Sequence, residues 1–150
     1  MAGNDRTLPH MRVLVVDDDP VSRESLEQIL TSAGHSVNSF TTATEARLAL
    51  ESAQFEVMFT DLRIGPHSGM DLLADSQLRW PRMSVVMLTE RSSLDQAVAA
   101  LGQGALDYLP MPIRPDQVAR VLDLVAQQMA LRTVGSPARD PAEYARALAA

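Results

Sequence analysis

Carboxylates follow two short apolar runs in this sequence. Residues 12–16 lead directly into the three aspartates at positions 17–19, and residues 55–60 lead into Asp61. Clustered carboxylates repel one another and favour a hard divalent cation, and ligand sets made only of oxygen favour Mg²⁺ or Mn²⁺ over zinc. A Mg²⁺ ion held by few carboxylates keeps water ligands, which a phosphoryl group can replace. The pattern therefore suits transfer of a phosphoryl group to an aspartate oxygen.

Five strands and five helices are expected to position these acids. The first apolar run is short, β-branched and without polar alternation, which is typical of a strand buried on both faces of a parallel sheet. This strand is expected to end near Asp17. Asp19 followed by Pro20 predicts the start of the first helix, and Thr41 or Thr42 the start of the second. Further strands are predicted at residues 35–40, 55–60, 83–88 and 106–109, and further helices near Met70, after Ser92 or Ser93, and near Pro115.

The alternation of strands and helices predicts an α/β fold with a doubly wound parallel sheet. If the five strands take the flavodoxin-like order 2-1-3-4-5, the first and third strands are neighbours, and their carboxyl ends flank the binding crevice. In that order Asp17, Asp18 and Asp61 lie close together. The helices are expected to bury apolar stripes, which include Val21 in the first helix, Leu78 in the third, and Leu94, Ala97, Val98 and Leu101 in the fourth.

Composition narrows the class of protein. The chain has 150 residues, a net charge of −6 and no cysteine, and its 13 basic residues are all arginine. The absence of cysteine excludes disulfides and thiolate metal sites, and singly scattered cations argue against a nucleic-acid surface. No apolar run approaches the roughly 18–20 residues that cross a bilayer, and the N-terminus lacks the apolar core of a signal peptide. We therefore expect a cytoplasmic protein with no membrane partner and no direct nucleic-acid partner.

One domain with two terminal segments is expected. Residues 1–10 are polar and lack a periodic pattern, which predicts a flexible lead-in. Residues 11–131 form the domain, whose length is sufficient for one self-sufficient core. Residues 132–150 have linker composition and can end in a short helix that starts near Asp140. The three histidines, at positions 10, 35 and 67, are expected on the surface.

The chain resembles the receiver domain of bacterial two-component response regulators over about residues 11–130. Residues 60–63 (TDLR) and 104–110 (GALDYLP) are most similar to the receivers of NtrC-type enhancer-binding regulators. The family's acidic pair falls on Asp17 and Asp18, and its phosphoacceptor falls on Asp61. The glycine that follows the phosphoacceptor by eight residues falls on Gly69. The switch pair falls on Thr89, which supplies the hydroxyl, and on Tyr108, which is the rotating aromatic residue.

The resemblance implies a signalling switch rather than a turnover enzyme. Asp18, Asp61 and the backbone carbonyl of Arg63 would hold Mg²⁺ or Mn²⁺, and Asp17 would contribute through water. The phosphoryl group would come from the phosphohistidine of a sensor histidine kinase or a phosphotransfer protein. The domain's own chemistry would be limited to self-phosphorylation and self-dephosphorylation. Occupation of the site would alter the face built from the fourth and fifth helices and the fifth strand, which commonly forms homodimers in this family.

Two positions depart from the pattern of the family and indicate an atypical receiver. Met111 stands where receivers carry a lysine just before the proline that follows the fifth strand, so the phosphoryl group loses an ion pair. Glu90 stands directly after Thr89, where the family prefers a small residue, and its carboxylate would repel an incoming phosphoryl group. Because the chain has no lysine, only arginine could compensate, and Arg91 and Arg114 are the nearest in sequence.

Two alternatives stay open. A phosphorylation-independent receiver, or pseudo-receiver, would act as an interaction module whose geometry is set by its sequence, and Met111 and Glu90 favour this interpretation. Residues 17–21 also fit the nucleophile motif of haloacid-dehalogenase-like phosphatases, but those enzymes use a lysine, which this chain lacks. Such an enzyme would turn over small phosphate esters in the presence of Mg²⁺, whereas a receiver would not.

Overall fold

Strands and helices alternate along the residues that the computed structural model describes, which are 8–90 and 94–132. No helix in these two ranges is both long and apolar enough to cross a membrane. All five predicted strands are present, with bounds that differ by one or two residues. In chain order the elements are β1 (Arg12–Val16), α1 (Pro20–Ser32), β2 (Ser36–Phe40), α2 (Ala43–Ser52), β3 (Val57–Asp61), β4 (Arg63–Ile64), β5 (His67–Ser68), α3 (Gly69–Arg79), β6 (Ser84–Thr89), α4 (Leu94–Gly102), β7 (Asp107–Pro110) and α5 (Pro115–Ala130).

The main sheet has the order β2-β1-β3-β6-β7, and each neighbouring pair is parallel. When the five strands of this sheet are numbered in chain order, β6 and β7 become strands 4 and 5. The order is then the flavodoxin-like order 2-1-3-4-5, so the predicted fold is confirmed. Val16 pairs with Thr60 and Asp61 pairs with Leu88, which brings the carboxyl ends of β1, β3 and β6 side by side. The strand ends that carry the acids therefore meet at one edge of the sheet.

Nothing in the sequence pattern predicts the small antiparallel pair formed by β4 and β5. Arg63 pairs with Ser68 and Ile64 pairs with His67, so the segment after β3 closes as a hairpin before α3 begins. Its turn contains Gly65, whose φ of 59° lies in the left-handed region that favours glycine. Strands of two residues are too short to leave a periodic signal in the sequence.

Each central strand contributes side chains to two apolar layers. In β1, Leu14 and Val16 belong to the layer shared with α2 and α3, whereas Val13 and Val15 belong to the layer shared with α1 and α5. All four side chains are fully buried, in agreement with the predicted burial on both faces. Because both faces of such a strand are apolar, its polar residues collect at its ends.

Side-chain caps start three of the helices, including α3, where the Ser68 hydroxyl accepts the backbone N–H of Met70 at 3.1 Å. The Asp19 carboxylate accepts the backbone N–H three residues later, at 3.0 Å, and starts α1 as predicted. At the start of α2 it is the hydroxyl oxygen of Thr42, rather than that of Thr41, that accepts a backbone N–H, at 3.1 Å. The caps predicted at Ser92 and Ser93 lie outside the described residues.

In α1 and α3, one residue each that was expected in the buried stripe is exposed. Val21 in α1 is 75% exposed, and Leu78 in α3 is 83% exposed. Each lies five residues along its helix from a buried leucine, Leu26 or Leu73, and is therefore rotated about 140° away from it. Apolar character alone did not place these residues on the core-facing stripe.

The apolar stripe predicted on α4 exists, but most of it faces away from the sheet. Leu94, Val98 and Leu101 share one face at helical spacing, and all three are exposed. The buried side of α4 is formed instead by Ala97 and Ala100. Small side chains fill the limited space beneath this helix, and the larger apolar residues point outward.

The prediction that His35 lies on the surface is wrong. His35 is 7% exposed, and its Nδ1 accepts the backbone N–H of Met11 at 3.1 Å. The neighbouring His10 ring is hydrogen-bonded to the Gly34 carbonyl at 3.0 Å and to the Ser36 hydroxyl at 2.9 Å. These bonds tie the residues before β1 to the turn between α1 and β2.

Candidate functional site

Three carboxylates form an acid pocket at the carboxyl edge of the sheet, and we use this name for Asp17, Asp18 and Asp61. One carboxylate oxygen from each residue lies within 4.8 Å of those from the other two. Asp17 and Asp18 follow β1, and Asp61 ends β3, so the neighbouring positions of these two strands bring the three groups together. The predicted juxtaposition of the three acids is therefore present.

Asp17 is the most deeply buried member of the acid pocket, at 1% exposure. Its Oδ1 accepts the backbone N–H of Asp19 at 2.9 Å, whereas its Oδ2 has no hydrogen-bond partner among the described residues. Burial raises the pKa of Asp17, and the charges of Asp19 and Asp18 also raise it. A buried carboxylate oxygen without a partner is costly unless a cation or a proton satisfies it.

Asp61 ionises at a higher pH than an ordinary aspartate. Burial raises its pKa to about 6, and the negative charge of Asp17 contributes in the same direction. The backbone N–H groups of Arg63 and Leu62 act in the opposite direction, because they donate towards the carboxylate. Above pH 6 the acid pocket therefore concentrates negative charge. The all-oxygen donor set and the unpartnered Asp17 oxygen fit a divalent cation such as Mg²⁺.

Asp18 connects the acid pocket to the hairpin that follows β3. Its side chain is exposed, and its Oδ2 accepts the backbone N–H of Gly65 at 2.9 Å. Arg63 lies two residues after Asp61, on β4 of the same hairpin. The hairpin therefore borders the acid pocket, and a ligand role for the Arg63 carbonyl stays a prediction.

Gly69 allows α3 to start directly against the end of β3. A Cβ atom at this position would lie 2.0 Å from the Asp61 carbonyl oxygen and 3.0 Å from its carbonyl carbon. The backbone N–H of Gly69 also donates to the Leu62 carbonyl at 2.8 Å. Any larger residue would push against the backbone that carries the Asp61 carboxylate.

We expect Gly69→Ala to lower the free energy of unfolding by about 1–3 kcal/mol, the usual cost of forcing an extra methyl group into a packed site. Thermal or urea unfolding followed by circular dichroism measures the change. Gly102→Ala is the matched control, because a Cβ atom there meets nothing within 4 Å. Equal stabilities of the two variants would contradict the close approach between Gly69 and Asp61.

Thr89 ends β6 at the same edge of the sheet. It is buried, and its hydroxyl donates to the Glu90 carbonyl at 3.0 Å. It follows Leu88, the residue that pairs with Asp61 across β3 and β6. The Glu90 residue itself is exposed. Thr89 is therefore next to the acid pocket in strand register.

Tyr108 and Met111 lie on and just after the edge strand β7. Tyr108 is partly buried and packs against the apolar layer that includes Met87, its partner in strand register. The backbone N–H of Met111 donates to the Thr89 carbonyl at 2.8 Å, and the Met111–Pro112 peptide bond is cis. Met111 is therefore held by its backbone beside the end of β6.

Arg23 forms a hydrogen bond at the acid pocket, whereas the sequence had suggested Arg91 and Arg114. Arg23 Nη1 donates to the Asp17 carbonyl at 2.9 Å, and the charge of Arg23 opposes the upward shift of the Asp17 pKa. The sequence signal that could have identified Arg23 is its position in the first turns of α1, four residues after the Asp19 cap. Arg114 is exposed and paired with Asp116 at 3.1 Å, and Arg91 lies outside the described residues.

Comparison with known proteins gives consistent matches. The family model for the response regulator receiver domain matches residues 13–123. The alginate biosynthesis transcriptional regulatory protein AlgB of Pseudomonas putida is 37% identical over 123 residues, which is 81% of this chain and 28% of that protein. The DNA-binding transcriptional regulator NtrC of Klebsiella pneumoniae is 38% identical over 109 residues, which is 73% of this chain and 23% of that protein. The chain thus spans less than a third of these relatives.

Solved structures with this fold agree with the sequence matches. A response regulator receiver domain protein from Clostridium thermocellum superposes with a TM-score of 0.74 at 28% identity, covering 80% of this chain and 97% of that one. NtrX from Brucella abortus superposes with a TM-score of 0.79 at 25% identity, covering 85% of this chain and 29% of that one. The described fold is therefore similar to nearly the whole of one solved chain and to less than a third of the other.

Proposed function

The chain belongs to the response regulator receiver domain family, a class of two-component signalling modules, and from this premise we propose that Asp61 accepts a phosphoryl group. The donor is the phosphohistidine of a sensor histidine kinase or a phosphotransfer protein. The observation that carries the proposal is the acid pocket, in which carboxylate oxygens of Asp17, Asp18 and Asp61 lie within 4.8 Å of one another.

In this reaction a carboxylate oxygen of Asp61 attacks phosphorus, and the bond between phosphorus and the histidine nitrogen breaks. Attack requires the ionised carboxylate, and a pKa of about 6 leaves Asp61 ionised at neutral pH. Asp18, Asp61 and the Arg63 carbonyl would hold a Mg²⁺ or Mn²⁺ ion, with Asp17 contributing through water, and the ion would supply positive charge that offsets the carboxylates and the phosphoryl oxygens. The domain's own reactions are limited to gaining and losing this phosphoryl group.

The switch involves Thr89 and Tyr108. The Thr89 hydroxyl, which now donates to the Glu90 carbonyl, turns to the phosphoryl group, and the Tyr108 ring moves with it. The affected face consists of α4, β7 and α5, and α4 presents an exposed apolar stripe that suits a homodimer. Residues 11–131 act as the switching unit in the cytoplasm, without direct contact to nucleic acid or membrane.

A second candidate is a pseudo-receiver that works as an interaction module without phosphorylation. Met111 and Glu90 favour it, because one removes a cation that phosphoryl transfer uses and the other adds a carboxylate near the path of the phosphoryl group. Of the two arginines that could compensate for the missing lysine, Arg91 lies outside the described residues and Arg114 is paired with Asp116. The two candidates differ in whether Asp61 is ever modified.

We expect acetyl phosphate or phosphoramidate in the presence of Mg²⁺ to add one phosphoryl group, detected as a mass increase of the intact protein. Asp61→Asn should abolish the adduct, because an amide is not a nucleophile for this reaction. Asp116→Asn, which removes an exposed carboxylate on α5, should leave it unchanged. An adduct that persists on Asp61→Asn would contradict the assignment of the phosphoacceptor, and the absence of any adduct would favour the pseudo-receiver.

A further inference from the structure

Asp17 is held by three hydrogen bonds, which leave one of its oxygens without a partner. Its backbone N–H donates to the Phe40 carbonyl at 3.1 Å, and its Oδ1 accepts the backbone N–H of Asp19 at 2.9 Å. Its backbone carbonyl accepts a hydrogen bond from Arg23 Nη1 at 2.9 Å. The remaining oxygen, Oδ2, is buried and has no hydrogen-bond partner among the described residues. The three bonds therefore fix the position from which Oδ2 can meet a cation or one of its water ligands.

Arg23 supplies the only one of these three bonds that comes from the side chain of another residue. It lies in α1, six residues after Asp17, and its guanidinium reaches back to the chain that follows β1. Arg23 is partly buried and forms no ion pair with the other described residues. Because no carboxylate competes for the guanidinium, its charge-assisted hydrogen bond goes to the Asp17 carbonyl. A substitution of Arg23 therefore removes one support of Asp17 and leaves the two bonds to backbone groups in place.

We propose that Arg23 is a positioning residue for the divalent cation of the acid pocket and acts through the Asp17 carboxylate. Groups that orient metal ligands from outside the coordination shell typically change metal affinity by about 10–100-fold when they are removed. The inference rests on the proposed function in one respect, since it needs the cation in the acid pocket. It does not need Asp61 to be phosphorylated.

The charge and the hydrogen bond of Arg23 have opposite effects on a cation. Its positive charge lies one hydrogen bond away from Asp17 and by itself repels a divalent ion. If charge were the whole effect of Arg23, its removal would strengthen cation binding. Removal of the hydrogen bond instead frees the Asp17 backbone and lets the carboxylate turn away, which weakens binding. The direction of the change therefore distinguishes a positioning residue from a nearby charge.

Mn²⁺ is the probe, titrated into the full, unphosphorylated chain while electron paramagnetic resonance records the free ion. We expect Arg23→Met to raise the dissociation constant about tenfold, the lower end of the effect of such outer groups. Arg23→Lys keeps a charged N–H donor and should restore most of the affinity. Arg120→Met is the matched control, because it removes the same charge from an exposed side chain that lies 3.9 Å from Asp107, at the amino end of β7. It should bind Mn²⁺ as the unaltered chain does.

Amide hydrogen exchange tests the positioning without metal. The backbone N–H of Asp19 donates to Asp17 Oδ1, so it should exchange several times faster in Arg23→Met once the carboxylate is free to move. Amides within β1 and β3 should keep their rates, which also shows that the variant is folded. An Asp19 amide with unchanged protection would overturn the proposal.

Mn²⁺ binding that is unchanged or tighter in Arg23→Met would also overturn the proposal, and so would an Arg23→Lys variant that binds no better than Arg23→Met. An unaltered chain that binds no Mn²⁺ would overturn the cation site itself, and the role of Arg23 with it. Failure of phosphorylation is detected separately, as a missing adduct on Asp61, and leaves the comparison of Mn²⁺ affinities intact.

Discussion

Met111→Lys is expected to raise the rate at which acetyl phosphate modifies Asp61 by about ten- to a hundred-fold. A charge-assisted hydrogen bond contributes about 1.5–3 kcal/mol, and each 1.4 kcal/mol corresponds to about a factor of ten. The hydrogen bond from the Met111 N–H to the Thr89 carbonyl already fixes the backbone at this position, at the edge of the sheet that carries the acid pocket. A lysine side chain at this position is similar in length to that of methionine and adds the missing positive charge.

The time course of the intact mass measures this effect at a fixed concentration of acetyl phosphate and Mg²⁺. Gln28→Lys is the matched control, because it adds the same charge at an exposed position of α1. Equal acceleration by both variants would show that net charge, rather than the position of the lysine, causes the effect. No acceleration by Met111→Lys would contradict the expectation that a lysine at this position reaches the phosphoryl group.

Glu90→Ala extends the same experiment to the second atypical position. If the carboxylate obstructs the phosphoryl group, Glu90→Ala combined with Met111→Lys should react faster than Met111→Lys alone. An unaltered chain that forms no adduct, together with a double variant that does, would identify a pseudo-receiver that lost its chemistry at these two positions. An adduct on the unaltered chain supports the phosphoacceptor function directly.

Without metal at neutral pH, Asp61→Asn is expected to raise the free energy of unfolding by about 1–3 kcal/mol. In the folded protein Asp61 ionises near pH 6, compared with 3.8 for an ordinary aspartate. A difference of about two pH units at about 1.4 kcal/mol each gives an upper limit of about 3 kcal/mol, which partial exposure of the side chain reduces. The asparagine carries no charge into the acid pocket.

The gain should depend on pH. Between about pH 4 and pH 6 the folded state holds a proton on Asp61 that the unfolded state has released, so the unaltered chain loses stability as the pH rises through this window. The difference between the two proteins should therefore vanish below pH 4 and reach its full value above pH 6. Urea unfolding at a series of pH values measures it. An Asp61→Asn variant that is less stable at neutral pH would contradict the raised pKa.

Mg²⁺ provides the complementary measurement. A ligand that binds only the folded state raises the free energy of unfolding. This gain grows with the logarithm of the ratio of ligand concentration to dissociation constant. Mg²⁺ should therefore raise the thermal midpoint of the unaltered chain and have a smaller effect on Asp61→Asn. Asp116→Asn serves as the control with an intact acid pocket. An equal response of all three proteins would place any metal binding elsewhere.

Some features of the fold were predictable because their causes lie close together in the sequence. The start of α1 follows from Asp19 and Pro20, which cap the helix through contacts within one turn. The strands follow from apolar runs whose residues are neighbours along the chain. By contrast, Val21 and Leu78 show that an apolar residue on a helix does not reveal which way it faces. The β4–β5 hairpin was missed because two-residue strands leave no pattern.

By itself, the sequence determined the α/β class, the alternation of the five parallel strands with five helices, and the placement of Asp17, Asp18 and Asp61 at strand ends. Only the tertiary structure decided that the Asp61 pKa lies near 6 and that Arg23 rather than Arg114 contacts the acid pocket. Helical periodicity and capping depend on separation along the chain, which a sequence displays. Burial and charge interactions depend on distance through space, and only the folded chain sets those distances.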